Sequence, residues 1–120
     1  MKNKVNILGT QYKIIRKKYD EDLDFSEKGF AGYHNGLSKE IVICVVKTLP
    51  GTESTSDEDA AHSERETLKH EIVHAFFYQS GLDSSAMQYE GAWARCEEMV
   101  DWIAMQGEKI YKAWQEAGAL

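Results

Sequence analysis

An α+β domain is predicted by three features of this 120-residue chain. The first 49 residues carry short runs rich in Ile, Val and Tyr, separated by glycine and polar punctuation, which is the pattern of strands. Pro50, Gly51 and a Ser/Thr/Asp/Glu cluster then break that pattern. Beyond them lie two long stretches whose apolar residues recur at three and four positions, the period of a helix. We therefore expect one domain, a small and mostly antiparallel N-terminal sheet packed on two helices. At this length a single core forms without staples.

The elements follow in order. "KVNILGTQYKIIRKK" and "KEIVICVVKT" have strand length and composition, and two to four strands are expected within residues 1–49. "GFAGYHNGLSKEIVICVV" reads as a hairpin turning at Asn35-Gly36, because that pair tolerates the positive φ of tight hairpin turns. Residues 19–29, "YDEDLDFSEKG", form a short helix or an irregular loop. Residues 50–57 are a mobile surface loop. A helix over 58–80 is opened by Ser56 with Asp59 three residues on, resembling a capping box, and acidic residues in its first turn suit the helix dipole. Gly81 closes it, since a left-handed residue there costs glycine nothing. A last helix over 87–115 has one stripe of Trp93, Cys96, Val100, Ile103, Gly107, Ile110 and Trp114.

Composition narrows the function. With 42% hydrophobic and 28% charged residues the chain folds rather than staying disordered. A net charge of -6 excludes a general binder of nucleic-acid backbones. The basic run "KIIRKK" alternates with apolar residues and is followed by "DEDLD", so it reads as a solvated strand face. No apolar run reaches the length of a membrane span, and "MKNKVNILGT" lacks a secretory signal, so a cytoplasmic protein without a membrane partner is expected. Cys44 and Cys96 have apolar neighbours and no CxxC spacing, which points to reduced core thiols.

Chemistry concentrates in "TLKHEIVHAFF", residues 67–77. His70 and His74 are four apart, so on a helix both rings stand on one face and reach one Zn²⁺. Glu71 lies about 100° round the helix, where it can accept a proton from an attacking water. Leu68, Ile72, Val73, Ala75, Phe76 and Phe77 surround the pair and hold the helix in a core. A catalytic zinc site needs a third protein ligand. "CEEMVDWIA" offers Glu97 as that ligand, and Asp101, one turn on, as the acceptor that orients a metal-bound histidine. His62, Glu64 and Glu66 match no ligand spacing and read as a solvated helix start.

His70-Glu71-xx-His74 followed by Glu97-xxx-Asp101 resembles the zinc metallopeptidases of the HExxH, gluzincin-like type. More narrowly, "TLKHEIVHAFF" with "EEMVDWIA" resembles the small phage and prophage-encoded metallopeptidase-like proteins and the related ImmA/IrrE-type peptidases. Their second helix carries a Glu-xx-Ala-xx-Phe-Ala-like pattern, here Glu97-xx-Val100-xx-Ile103-Ala104. The resemblance covers about 50 residues. It implies a minimal zincin-like fold, one zinc per chain, and hydrolysis of a peptide bond in a protein or peptide substrate with Glu71 as general base. It also implies an edge strand along the cleft, able to pair with extended substrate. No downstream His or Tyr is obviously placed to stabilise the oxyanion. Tyr78, Tyr89, His34 and His62 are the candidates for that donor. The alternative is a non-catalytic, zinc-stabilised protein-binding module derived from a peptidase fold.

Overall fold

The computed structural model describes residues 1–84, 95–118 and 120. Four strands form one sheet: β1 (Lys4–Ile7), β2 (Thr10–Lys17), β3 (Gly32–Asn35) and β4 (Glu40–Cys44), in the spatial order β1-β2-β4-β3. The outer pairs β1/β2 and β3/β4 are antiparallel. The central pair, β2 with β4, is parallel. The sheet is thus mixed, because the chain leaves β2 through a 3₁₀ turn (Tyr19–Glu21) and α1 (Leu23–Glu27) and lays β3 at the edge before β4 fills the gap. A parallel pair needs a crossover of this kind.

The two hairpin turns use different devices. Between β1 and β2, Leu8 and Gly9 both take positive φ, and the Asn6 side chain accepts the Gly9 N–H at 2.9 Å. Between β3 and β4 the loop is longer than an Asn-Gly turn, since Asn35 pairs with Glu40. The positive φ falls on Lys39, not on Asn35 or Gly36, while Asn35 Oδ1 accepts the N–H groups of Leu37 and Ser38. Gly36 is needed for space instead, because a Cβ there would lie 2.4 Å from the Tyr78 ring.

Strand β4 is buried on both faces, as a central strand of a covered sheet must be. Ile41 and Ile43 join Ile7, Tyr12 and Ala75 on one side, with Leu68 and Ile72 against them. Val42 and Cys44 join Phe25 on the other, with Ile15, Tyr19, Tyr33 and Leu49. The sheet is therefore sandwiched between α2 (Asp57–Ser80) and the crossover.

The α2 boundaries agree with the sequence signals. Ser56 Oγ accepts the Asp59 N–H at 3.1 Å, and Gly81 closes the helix at φ 85°. The expected mobile loop before it is fastened: Thr52 Oγ1 donates to the carbonyls of Val46 and Leu49, and Lys47 pairs with Asp57. Arg16 on β2 donates from Nη2 to both carboxylate oxygens of the buried Glu64, at 2.8 and 3.0 Å, so "KIIRKK" is only partly a solvated face.

The last helix, α3, spans Glu97–Glu116. The part of the expected helix before residue 95, including Trp93, lies outside the described residues. Val100 is fully buried, and Ile103 and Ile110 are half-buried on the same stripe. A Cβ on Gly107 would meet nothing within 4 Å. Gly107→Ala is therefore expected to raise stability by about 0.5–1 kcal/mol, as the midpoint of urea unfolding will show. Cys44 is buried, and burial pushes its thiol pKa up; Cys96, expected in a core, is exposed just outside α3, and both thiols are free. Among the described residues no helix is long and apolar enough to cross a membrane.

Candidate metal centre

α2 and α3 meet so that Glu97, the first residue of α3, faces the histidine pair. His70 Nε2 lies 2.9 Å from Glu97 Oε2 and 3.1 Å from His74 Nε2, and His74 Nε2 lies 3.1 Å from Glu97 Oε1. A tetrahedral ion with bonds of about 2.0–2.1 Å separates neighbouring ligand atoms by roughly 3.3 Å, so these spacings fit one ion. His70 Nδ1 lies 2.6 Å from Asp101 Oδ1, an acceptor for a ring proton at that nitrogen. Two imidazole nitrogens and a carboxylate thus lie close together, a donor set that could hold a cation. Among the described residues, His70, His74 and Glu97 offer ligand atoms within 4.8 Å of one another. The histidine side chains are 21% exposed and that of Glu97 is 67% exposed, so the point of convergence is reached from solvent on the α3 side.

Glu71 lines the same cleft. It is only 6% exposed, in a stripe on α2 with the buried Ala60, Glu64 and Ala75. Burial is the main cause that pushes its pKa up to about 7; the Glu97 charge adds to this and His70 opposes it. Its neighbours in the cleft include the three convergent residues.

These groups line a cleft of about 750 Å³. Its far wall is the edge strand β3 with the residues before it, including Phe30, Gly32 and His34; Ala104 and Met105 of α3 extend the near wall. Gly32 makes the approach of β3 to α2 possible, since a Cβ there would lie 2.6 Å from Thr67 Cγ2 and 2.9 Å from the Val42 carbonyl oxygen. Sequence reasoning passed over Phe30, Gly32 and Met105. The glycines flanking "GFAGYHNG" were the available signal, as a strand must be stripped of Cβ atoms where another element presses on it.

Of the four proposed oxyanion donors, His34 lines the cleft. Tyr78 packs behind it against Gly36, His62 is exposed on α2, and Tyr89 lies outside the described residues. Glu64 is engaged by Arg16 and Glu66 pairs with Lys69, so with His62 they form no ligand set. Set against known protein families, curated proteins and solved structures, the chain matches none, and the chemistry of the cleft follows from its own residues.

Proposed function

We propose that the chain is a metallopeptidase that hydrolyses a peptide bond, holding one zinc ion through His70, His74 and Glu97 and using Glu71 as general base. The observation that carries this reading is the convergence of three ligand atoms within 4.8 Å beside a nearly buried glutamate. A zinc ion at that point supplies a Lewis acid that polarises the scissile carbonyl and acidifies water.

The chain's residues supply the remainder. Asp101 holds the His70 ring in the tautomer whose Nε2 faces inward. Glu71, its carboxylate form favoured by a nearby dication, accepts a proton from the attacking water and returns it to the departing amine. A purely structural metal site has no use for that carboxylate, whose burial disfavours its charged form. That carboxylate is what favours the proposal over a zinc-stabilised binding module. The β3 edge is suited to pair with an extended peptide, and Phe30 and Met105, 40% and 60% exposed, offer apolar walls for its side chains.

Two measurements test the reading. Protein purified without added metal should carry one zinc per chain by elemental analysis, and it should cleave members of a pooled, fluorescence-quenched peptide library in a chelator-sensitive way. Absence of zinc even after it is offered, or cleavage indifferent to chelator, would sink the proposal. Zinc without any cleavage would leave the binding module. Asp101→Asn should lower zinc affinity by about 10–100-fold, read by competition with a chromophoric chelator.

A further inference from the structure

The cleft differs between its two ends. Gly32 abuts Thr67 and Gly36 abuts Tyr78, so β3 runs in the same direction as α2. α3 runs the opposite way, because Glu97 contacts both His70 and His74, Asp101 contacts His70, and the charge of Lys69 reaches Glu108. Phe30, ahead of Gly32, and Met105, one turn past Asp101, therefore stand at the same end, on the Thr67 side of His70. The charged groups at this end are already engaged. Glu66 accepts from Lys69 at 2.9 Å, Asp101 lies 2.6 Å from His70, and Lys28, 5.9 Å from the Phe30 ring centroid, pairs with Asp24 at 3.4 Å. What remains for a guest is apolar. Asp101 and Met105 also line a second cavity of about 480 Å³ with Met99 and Trp102, so a large side chain has room there.

The backbone of β3 sets the direction in which a peptide lies. Residues 29–34 all line the cleft, which alternating side chains alone would not achieve. The Ala31 carbonyl accepts the Cys44 N–H at 2.9 Å, so Ala31 belongs to a hydrogen-bonded pair with the strand beside it. In an antiparallel ladder such pairs alternate with others whose N–H and C=O face away. Tyr33 opposite Val42 is then a bonded pair, while the N–H and C=O of Gly32 and His34 face the free edge of the sheet. A peptide pairs there more favourably antiparallel than parallel. It runs from His34 toward Phe30, and the residues after its scissile bond reach the apolar end.

We propose that Phe30 and Met105 are specificity-determining residues that select a large apolar side chain immediately after the scissile bond, an inference that rests on the metallopeptidase reading above. The substrate class is thus an extended peptide with a residue such as Phe, Leu or Met on the amine side of the cut. Phe30 and Met105 are 40% and 60% exposed, and a guest side chain between them removes apolar surface from water on all three. A charged side chain in the same place loses water without gaining a free ion partner.

The test compares zinc-loaded wild type, Met105→Glu and Phe30→Ser. Mass spectrometry of a digested peptide library reads the residue after each cut, which in wild type should be large and apolar. The second readout is the affinity of three succinyl hydroxamates, which hold the metal by one end and carry no substituent, a benzyl group or an aminobutyl group where the residue after the cut lies. Wild type should bind the benzyl compound about 10–200-fold more tightly than the unsubstituted one. Met105→Glu should lose most of that gain and favour the aminobutyl compound, with library cuts moving toward Lys and Arg. Phe30→Ser should lose the gain without the new preference. Zinc and the unsubstituted compound should bind all three proteins equally. No benzyl gain in wild type, a gain kept in both variants, or apolar residues gathered before the cut would overturn the proposal. So would parallel losses of zinc and the unsubstituted compound in both variants, which would make these residues structural. Should one variant not fold, the other still decides by the same benzyl comparison. Failure of wild type to bind zinc, or to cleave any library member, would instead overturn the metallopeptidase reading beneath it.

Discussion

Glu71→Gln is expected to lower kcat/KM on the quenched peptides by about 10²–10⁴-fold while one zinc per chain is retained, because the amide cannot accept a proton. Cleavage at the wild-type rate would show that another group is the base. The same substitution carries a stability signature in metal-free protein. Burial raises the folded-state pKa of Glu71 to about 7 from an ordinary 4.5. Its contribution to stability is thus fully present below pH 4.5 and is lost as the pH rises through 7. Glutamine has no proton to lose. The stability of the variant relative to wild type should therefore grow between pH 4.5 and about 7, toward a difference on the order of 2–3 kcal/mol. Urea unfolding in chelator at pH 4.5, 6 and 8 measures it, and a difference that stays constant with pH would show that the carboxyl is more solvated than its 6% exposure implies.

His74→Ala should remove stoichiometric zinc. Its Nε2 faces both His70 and Glu97, so its loss takes one of three ligands and leaves a two-point site. Zinc affinity should drop by more than about 100-fold, the upper effect of losing only an outer partner such as Asp101. Zinc at about a hundred times its dissociation constant stabilises wild type by roughly 2.7 kcal/mol through mass action, and the variant should show almost none of this. Zinc-dependent stabilisation preserved in His74→Ala would place the ion elsewhere.

Much of this was legible beforehand where it depended on residues near one another in the chain. Ser56, Asp59 and Gly81 marked the ends of α2 to within a residue, and the four-residue step from His70 to His74 placed both rings on one face. Glu97 and Asp101 were legible for the same reason, being one turn apart on α3. Less legible was the hairpin at Asn35, where the turn is set by a side-chain acceptor and by the room that Tyr78 demands of Gly36. Cys96 was misjudged because apolar neighbours in sequence say nothing about which side of a helix start meets solvent.

By itself, then, the chain determined its α+β class, the extent of α2 and the identity of the convergent residues, since strand alternation, helix caps and i, i+4 spacing act over a few residues. Tertiary packing alone decided the parallel pairing of β2 with β4 and the grip of Arg16 on Glu64. It also decided the burial of Glu71 and the cleft that β3, α2 and α3 line together. Those features depend on distances between segments remote in sequence, and on how much water is excluded when the β3 edge lies along α2 at a glycine without a Cβ.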